Sequence, residues 1–255
     1  MKLLDGKIPA SFIKERHVQI VAGLDRPPKM AIIRSEDNPA GDKYLKMKRA
    51  YGEDIGALVD LFVETKSTIQ DRIDTLNHDK SVTGIIIQLP FVNDEIATKA
   101  LNSLYPSKDV DGLGAHSLYE AATPKAVLWL LASYNIDLAG QIVVVGQGRL
   151  VGKPLADRLE ASGRDVIRCD IKTKDLKAQT LKADILFTGT GQKGLIKPDM
   201  VKHGAVLVDT GSPNNEFDPS LYDRDDLTIT PNPGGVGPMT VASLFDNLLI
   251  AAQKS

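Results

Sequence analysis

The sequence predicts an α/β protein of two domains flanking a cleft, and three observations carry that prediction. Short apolar, β-branched runs alternate with helix-length amphipathic stretches, the pattern of parallel βαβ units. The series breaks at Thr123-Pro124 and starts again. A strand-like run, Gln141–Val145, then leads straight into a glycine-rich loop, Gly146–Gly152, and a helix. At 255 residues the chain is long for one core and comfortable for two.

In the first series, Met30–Ser35 reads as a strand, Lys43–Ala57 as a helix and ALVDLFVE as a second strand. Ile69–Leu76 reads as a helix, and Val82–Pro90 as a buried strand ended by its proline. Asn93–Leu104 is a further helix, capped by Asn93 or Asp94. In the second series, Pro124–Tyr134 reads as a helix with proline in its first turn, where the missing N–H costs little. Strands are expected at Asp165–Cys169, Ala183–Thr188 and Ala205–Asp209, with a helix over Val151–Ala161. The tail Met239–Gln253 carries Val241, Leu244, Phe245, Leu248 and Ala252 at helical spacing. The expected domains are residues 1–122, completed by a C-terminal helix at 239–255, and residues 123–238, a Rossmann-type parallel sheet. A ligand is expected in the cleft between two such domains.

Composition narrows the partners. A net charge of −2 with no block of like charge argues against nucleic acid and against an anionic membrane surface. The single cysteine, Cys169, excludes an internal disulfide and a Cys-based zinc site, and the four histidines show no metal spacing. The start MKLLDGKIPA has no apolar core of signal-peptide length, and no apolar run is long enough to span a bilayer. A cytoplasmic location is the expectation.

Glycines at a strand–helix junction let the backbone approach a pyrophosphate, which the helix N-terminus stabilises through free N–H groups. Gly146, Gly148 and Gly152 have that setting, with a spacing one residue longer than the usual fingerprint. The next strand ends at Asp170, where an acidic side chain suits a ribose 2′-OH, and later strands end in Gly189-Thr190-Gly191 and Thr210-Gly211. Tyr44 and Lys48 are spaced i, i+4, so a helix puts both on one face. A desolvated lysine titrates low enough to act as a base. On spacing alone, a surface lysine packed over a tyrosine is the plainer reading.

Seven segments occur in order: LDGK (Leu4–Lys7), DNPAGDKYLKMK (Asp37–Lys48), GIIIQLP (Gly84–Pro90), KDVDG (Lys108–Gly112), Thr123-Pro124, VGQGRLVGKP (Val145–Pro154) and PNPGGVGPMTVASL (Pro231–Leu244). Together they resemble the bifunctional methylenetetrahydrofolate dehydrogenase/methenyltetrahydrofolate cyclohydrolase family over essentially the whole chain. The resemblance implies that Lys48 is the catalytic lysine, that Tyr44 stacks on the folate and assists it, and that Gln88 positions the lysine. It implies that Asp111 holds the pterin and that Pro233, Gly234 and Gly235 lie beside the substrate. Gly146, Gln147, Gly148, Arg149, Gly152, Asp170, Thr190, Gly191, Thr210 and Gly211 would then bind the dinucleotide. The implied reactions are oxidation of 5,10-methylenetetrahydrofolate and hydrolysis of the methenyl product to 10-formyltetrahydrofolate, by a homodimer formed through the cofactor domain. A folate- or nucleotide-binding paralogue without catalysis is the alternative, as is an amino-acid dehydrogenase, in which KDVDG and PGGVGPMTV have no place.

The chain also departs from the family pattern. Gly41 stands where serine is usual, Ala121-Ala122 replaces Pro-Cys before Thr123-Pro124, and the segments after Asp111 and after Gly211 are short. Family members that use NADP typically carry Gly-Arg-Ser and His-Ser where this chain has Gly146-Gln147-Gly148 and Asp170-Ile171. The family favours NADP as cofactor. Asp170 and Gln147 favour NAD, although Arg149, Arg168 and Lys172 offer positive charge nearby.

Overall fold

A computed structural model describes residues 1–35, 41–211 and 214–254. Residues 37–40 of the Asp37–Lys48 segment lie outside them, and the structure describes no side chains for 41–43. In chain order the elements begin with β1 (Lys2–Leu3), α1 (Lys7–Ala22), β2 (Lys29–Ser35), α2 (Gly41–Ile55), β3 (Leu58–Glu64), α3 (Ile69–His78), β4 (Gly84–Ile87) and α4 (Asp94–Asn102). They continue with α5 (Ala122–Ser133), β5 (Ile142–Val145), α6 (Gly152–Ala161), β6 (Val166–Cys169), α7 (Leu176–Thr180), β7 (Ile185–Thr188), β8 (Val206–Asp209), β9 (Thr228–Ile229) and α8 (Val236–Gln253).

The chain divides into two compact units, Ser11–Ala122 with Val241–Ser255, and Met1–Ala10 with Thr123–Thr240. The first holds a parallel three-stranded sheet in the order β3-β2-β4. Met30–Ile33 of β2 and Ile85–Ile87 of β4 are fully buried, as strands covered on both faces must be, and this is why they read as unbroken apolar runs. Ile69, Ile73 and Leu76 of α3, with Ala97 and Leu101 of α4, pack on one set of these side chains. On α8, Phe245 and Leu248 are buried against Gly52 and Gly84, where added side chains would collide with them or with Val59 and Val110.

The second unit holds a parallel six-stranded sheet in the order β1-β9-β8-β7-β5-β6. Its core joins Val143, Val145, Leu186, Leu207, Phe217 and Ile229. The expectation that residues 1–122 lie in one domain needs correction at its start. Lys2 and Leu3 pair with Thr228 and Ile229, so the N-terminus closes the edge of the second sheet and Met1–Ala10 belongs to that unit. Strand pairing, not position in the sequence, decides the assignment.

Helix α1 is a further addition to the sequence reading. Its apolar residues form no stripe: Ile8 and Phe12 are 58% and 64% exposed, whereas His17 is fully buried. His17 spends its two ring nitrogens inside the fold, on the Tyr51 hydroxyl (3.0 Å) and on Asp246 Oδ1 (3.4 Å).

Candidate active site

Helix α2 buries Leu45, Tyr51 and Ile55, and that face carries Lys48 inward until only 7% of it remains exposed. Its Nζ donates to Gln88 Oε1 at 2.8 Å. Gln88 follows β4 directly, and its backbone N–H bonds the Ile33 carbonyl (2.8 Å), so the sheet itself fixes where the amide stands. The amide Nε2 donates in turn to the Leu89 carbonyl (3.3 Å), which leaves the oxygen turned to the lysine. Tyr44, one turn before Lys48, is half-buried.

Asp111 comes from the loop after α4. The Ile85 N–H bonds the Lys108 carbonyl (2.7 Å) and a bridge pairs Ile85 with Asp109, so the KDVDG segment is an extension of the sheet beside β4. Asn247 of α8 donates to the carbonyls of Val110 and Glu120, both at 2.9 Å, and the Ala122 N–H donates to the Asp111 carbonyl (3.1 Å). Gly112 sits at φ +73°, and a Cβ there would lie 2.6 Å from the Glu120 and Ala121 backbone. The short segment after Asp111 therefore closes tightly on itself, and only glycine fits at its start. Asp109 secures the same turn, its Oδ2 accepting from the Gly114 N–H (2.8 Å) and its carbonyl from the Ser117 hydroxyl (2.9 Å).

The charges here are perturbed in opposite senses. Burial drives the Lys48 ammonium toward its neutral form, against the pull of Asp111. Burial raises the Asp111 carboxyl to about 6; Lys48 opposes this and Asp109 adds to it. A lysine poised to lose its proton, oriented by an amide and neighboured by a carboxylate, has the chemistry to serve as a general base, and the carboxylate has the chemistry to accept from donor-rich ligands.

The second unit carries the other predicted residues. The buried β5 turns at Gly146, φ +93°, where a Cβ would lie 2.6 Å from the Gly189 carbonyl oxygen. At Gly152, the first residue of α6, a Cβ would come 1.7 Å from the Gly146 oxygen, so these two glycines are dictated by the chain's own packing. Gly148 is different: a Cβ there meets nothing within 4 Å. The α6 N-terminus has no side-chain cap; the Lys153 N–H bonds the Gly148 carbonyl (3.1 Å) and Pro154 has no N–H, which leaves the Gly152 N–H of the first turn for an anion. Gln147 donates to the carbonyls of Val144 and Gly146 (both 3.2 Å), and Arg149 is half-buried in the same loop. Asp170, exposed after β6, accepts from the Lys172 N–H (2.9 Å). Arg168 is held by acids of α6, on Asp157 at 2.6 Å and Glu160 at 2.7 Å, with a longer bond to Gln147 (3.4 Å).

Thr190-Gly191 and Thr210-Gly211 follow β7 and β8, and the Thr210 hydroxyl donates to the Thr188 carbonyl (2.6 Å). Pro233, Gly234 and Gly235 belong to the same unit. The Gly6 N–H bonds the Gly234 carbonyl (2.8 Å), and a Cβ on Gly6 would lie 2.0 Å from the Gly235 oxygen. The LDGK and PGGVG segments thus share one close backbone contact. The predicted residues fall into two sets, one per unit. Lys48, Gln88 and Asp111 form one, and the glycine loop, the strand-end residues and PGG form the other.

The division matches the family comparison. Residues 4–111 match the catalytic domain, and residues 121–255 the NAD(P)-binding domain, of tetrahydrofolate dehydrogenase/cyclohydrolase. The chain belongs to that family. It is 37% identical to a bifunctional protein FolD of Campylobacter jejuni, over all of this chain and 99% of the relative. A FolD relative from Methanosarcina mazei is 35% identical over the whole chain and 97% of its own length. Among solved structures, the bifunctional FolD enzyme of C. jejuni superposes with a TM-score of 0.90 at 35% identity, covering 100% of this chain and 99% of that one. The methylenetetrahydrofolate dehydrogenase of the silkworm, Bombyx mori, gives 0.88 at 32% identity, with 100% and 98% covered.

Sequence reasoning missed three contributors. Asn247 holds the Asp111 loop, and its signal was available: an amide on the apolar face of a helix, now 1% exposed. Asp209 and Glu216, buried behind the strand-end loops of the second unit, had no motif to mark them. Among the described residues no cluster of three metal-binding side chains occurs, and no helix is long and apolar enough to cross a membrane.

Proposed function

We propose that the chain oxidises 5,10-methylenetetrahydrofolate to 5,10-methenyltetrahydrofolate with a nicotinamide dinucleotide and hydrolyses the methenyl form to 10-formyltetrahydrofolate. The observation that carries this reading is the Lys48–Gln88 bond at 2.8 Å, with the lysine buried and its proton loosened. Asp111, ionised in the neutral range, accepts from the amino and ring N–H groups of the pterin, and such charge-assisted bonds are the strong ones. Lys48 in its neutral form takes a proton from the water that adds to the cationic methenyl carbon. The positive charge of that carbon favours the neutral amine further. Gln88 keeps the amine directed there, and Tyr44, one turn away, stacks on the folate.

In the second unit, Gly146, Gln147, Gly148, Arg149 and Gly152 hold the dinucleotide pyrophosphate against the α6 N-terminus. Thr190-Gly191, Thr210-Gly211 and Pro233–Gly235 offer small residues that let the backbone approach a bound ligand closely. A dinucleotide bound there supplies a hydride acceptor. NADP is the cofactor the family reading favours. The second reading is NAD, favoured by the exposed Asp170 carboxylate and by the capture of Arg168 on Asp157 and Glu160, which withdraws a cation from any 2′-phosphate. On the same family reading the chain acts in the cytoplasm and as a homodimer; sedimentation of the purified protein tests the dimer.

The test is one assay with 5,10-methylenetetrahydrofolate and each dinucleotide, following reduced nicotinamide and methenyl absorbance together. Both signals appear if the reading is right, and neither appears for a chain that only binds. The ratio of kcat/KM values decides the cofactor, and a strong NADP preference removes the Asp170 argument.

A further inference from the structure

The loops after β7 and β8 are tied together by a side chain that belongs to neither strand. Glu216 is fully buried. Its segment runs beside Ile196, with the Ile196 N–H bonding the Glu216 carbonyl (3.0 Å) and the Asp218 N–H bonding the Ile196 carbonyl (2.9 Å), and this turns the carboxylate inward. One oxygen, Oε1, accepts two successive backbone N–H groups, from Thr190 and Gly191, both at 2.6 Å. The other accepts the Thr190 hydroxyl at 2.8 Å. Gly191 is at φ +76°. Successive N–H groups converging on one oxygen form the kind of concavity that elsewhere holds an anionic ligand. Here the chain fills it with its own carboxylate.

A second carboxylate completes the arrangement. Asp209, at the end of β8, accepts the Glu216 N–H (2.9 Å), the Gly211 N–H (2.7 Å) and, at 3.4 Å, Asn232 Nδ2. Gly211 lies between the two acids: a Cβ there would be 2.4 Å from Glu216 Oε1 and 2.9 Å from Asp209 Oδ1. Burying two carboxylates side by side is costly, and the cost shows at Asp209: burial raises its carboxyl to about 6 against the opposing Glu216 and Gly211 N–H bonds, and the charge of Glu216 adds a smaller push upward. An apolar filling would be cheaper if the only need were to occupy space.

We infer that Glu216 is a positioning residue for the dinucleotide: with Asp209 it holds Thr190-Gly191 and Gly211 in their binding-ready backbone shape before the ligand arrives. The inference rests on the dinucleotide reading above. Glu216 acts through the loops and does not touch the ligand. Its benefit is preorganisation, since a loop ordered in advance does not have to be ordered on binding.

The test measures dissociation constants for NADP and NAD by titration of the purified chain, beside hydrolysis of methenyltetrahydrofolate without dinucleotide. Glu216→Ala strands the Thr190 and Gly191 donors and should weaken dinucleotide binding about tenfold or more. Glu216→Gln keeps the shape and one carbonyl acceptor, and should fall between the two. Hydrolysis should stay within about twofold of the native rate in both variants, since it uses no group these loops hold. An unchanged dissociation constant in Glu216→Ala, with the native chain binding normally, overturns the positioning role alone. Parallel loss of binding and hydrolysis in Glu216→Gln also overturns it, because that is the mark of a merely structural residue. A native chain that binds neither dinucleotide overturns the dinucleotide reading as well.

Discussion

Lys48 on α2 and Gln88 at the end of β4 meet through a 2.8 Å bond from Nζ to Oε1. The bond joins the buried lysine, the proposed base, to an amide that the sheet holds still. Replacing Gln88 with leucine removes the acceptor and leaves the amine buried without it. Hydrolysis of methenyltetrahydrofolate should then fall by about 10–100-fold in kcat, with a smaller change in KM, because orientation is lost more than binding. Steady-state kinetics on the variant decide this.

The pH profile follows from burial. The base form of Lys48 is the neutral amine, and burial lowers its pKa despite Asp111. The acidic limb of the hydrolysis profile should therefore lie clearly below the ordinary lysine range, with activity rising as pH increases through it. A limb near 10.5, the ordinary value, would mean that another group sets the profile.

Asp111 links function to stability. Its carboxyl is near 6 in the folded chain, above the ordinary 3.8, so the folded state binds that proton more tightly than the unfolded state. The resulting stability is present below the unfolded value and is lost as pH rises through about 6. Asp111→Asn removes a charge that is unfavourable at neutral pH. It should raise stability there by on the order of 1–2 kcal/mol, part of the gain being offset by the attraction to Lys48 that it gives up. The same variant should lose most folate affinity. Denaturant unfolding at acidic and neutral pH, beside a folate titration, reads both effects.

The glycine loop separates packing from binding. Gly152→Ala drives a Cβ into the Gly146 carbonyl and should destabilise the chain by several kcal/mol. Gly148→Ala meets nothing in the fold. It should leave the melting temperature nearly unchanged and raise KM for the dinucleotide about tenfold or more, if a pyrophosphate lies against that backbone. Thermal unfolding and dehydrogenase kinetics on the two variants make the comparison.

Much of this was legible in the sequence for definable reasons. Fully buried parallel strands must be continuous apolar runs, so β2, β4, β5, β7 and β8 announced themselves, as did the glycines of the β5–α6 turn. Helix α1 did not, because it exposes Ile8 and Phe12 while burying His17, the reverse of what periodicity detects. The two-residue strands β1 and β9 are too short to carry a pattern, and only their pairing shows that the N-terminus joins the second sheet. Tyr44 and Lys48 on spacing alone suggested a solvated face. What sets Lys48 apart from a solvated lysine is burial and a partner 40 residues away, and no local pattern encodes that contact. The buried acids Asp209 and Glu216 were invisible for the same reason, since their effect lies in which backbone donors they meet.

The most direct test of the central claim is hydrolysis of 5,10-methenyltetrahydrofolate by Lys48→Met beside the native chain, with no dinucleotide present. If Lys48 is the base, the variant should lose about 10²–10⁴-fold in rate, and should retain some hydride transfer when given methylenetetrahydrofolate and a dinucleotide. Hydrolysis at the native rate in Lys48→Met would contradict the account.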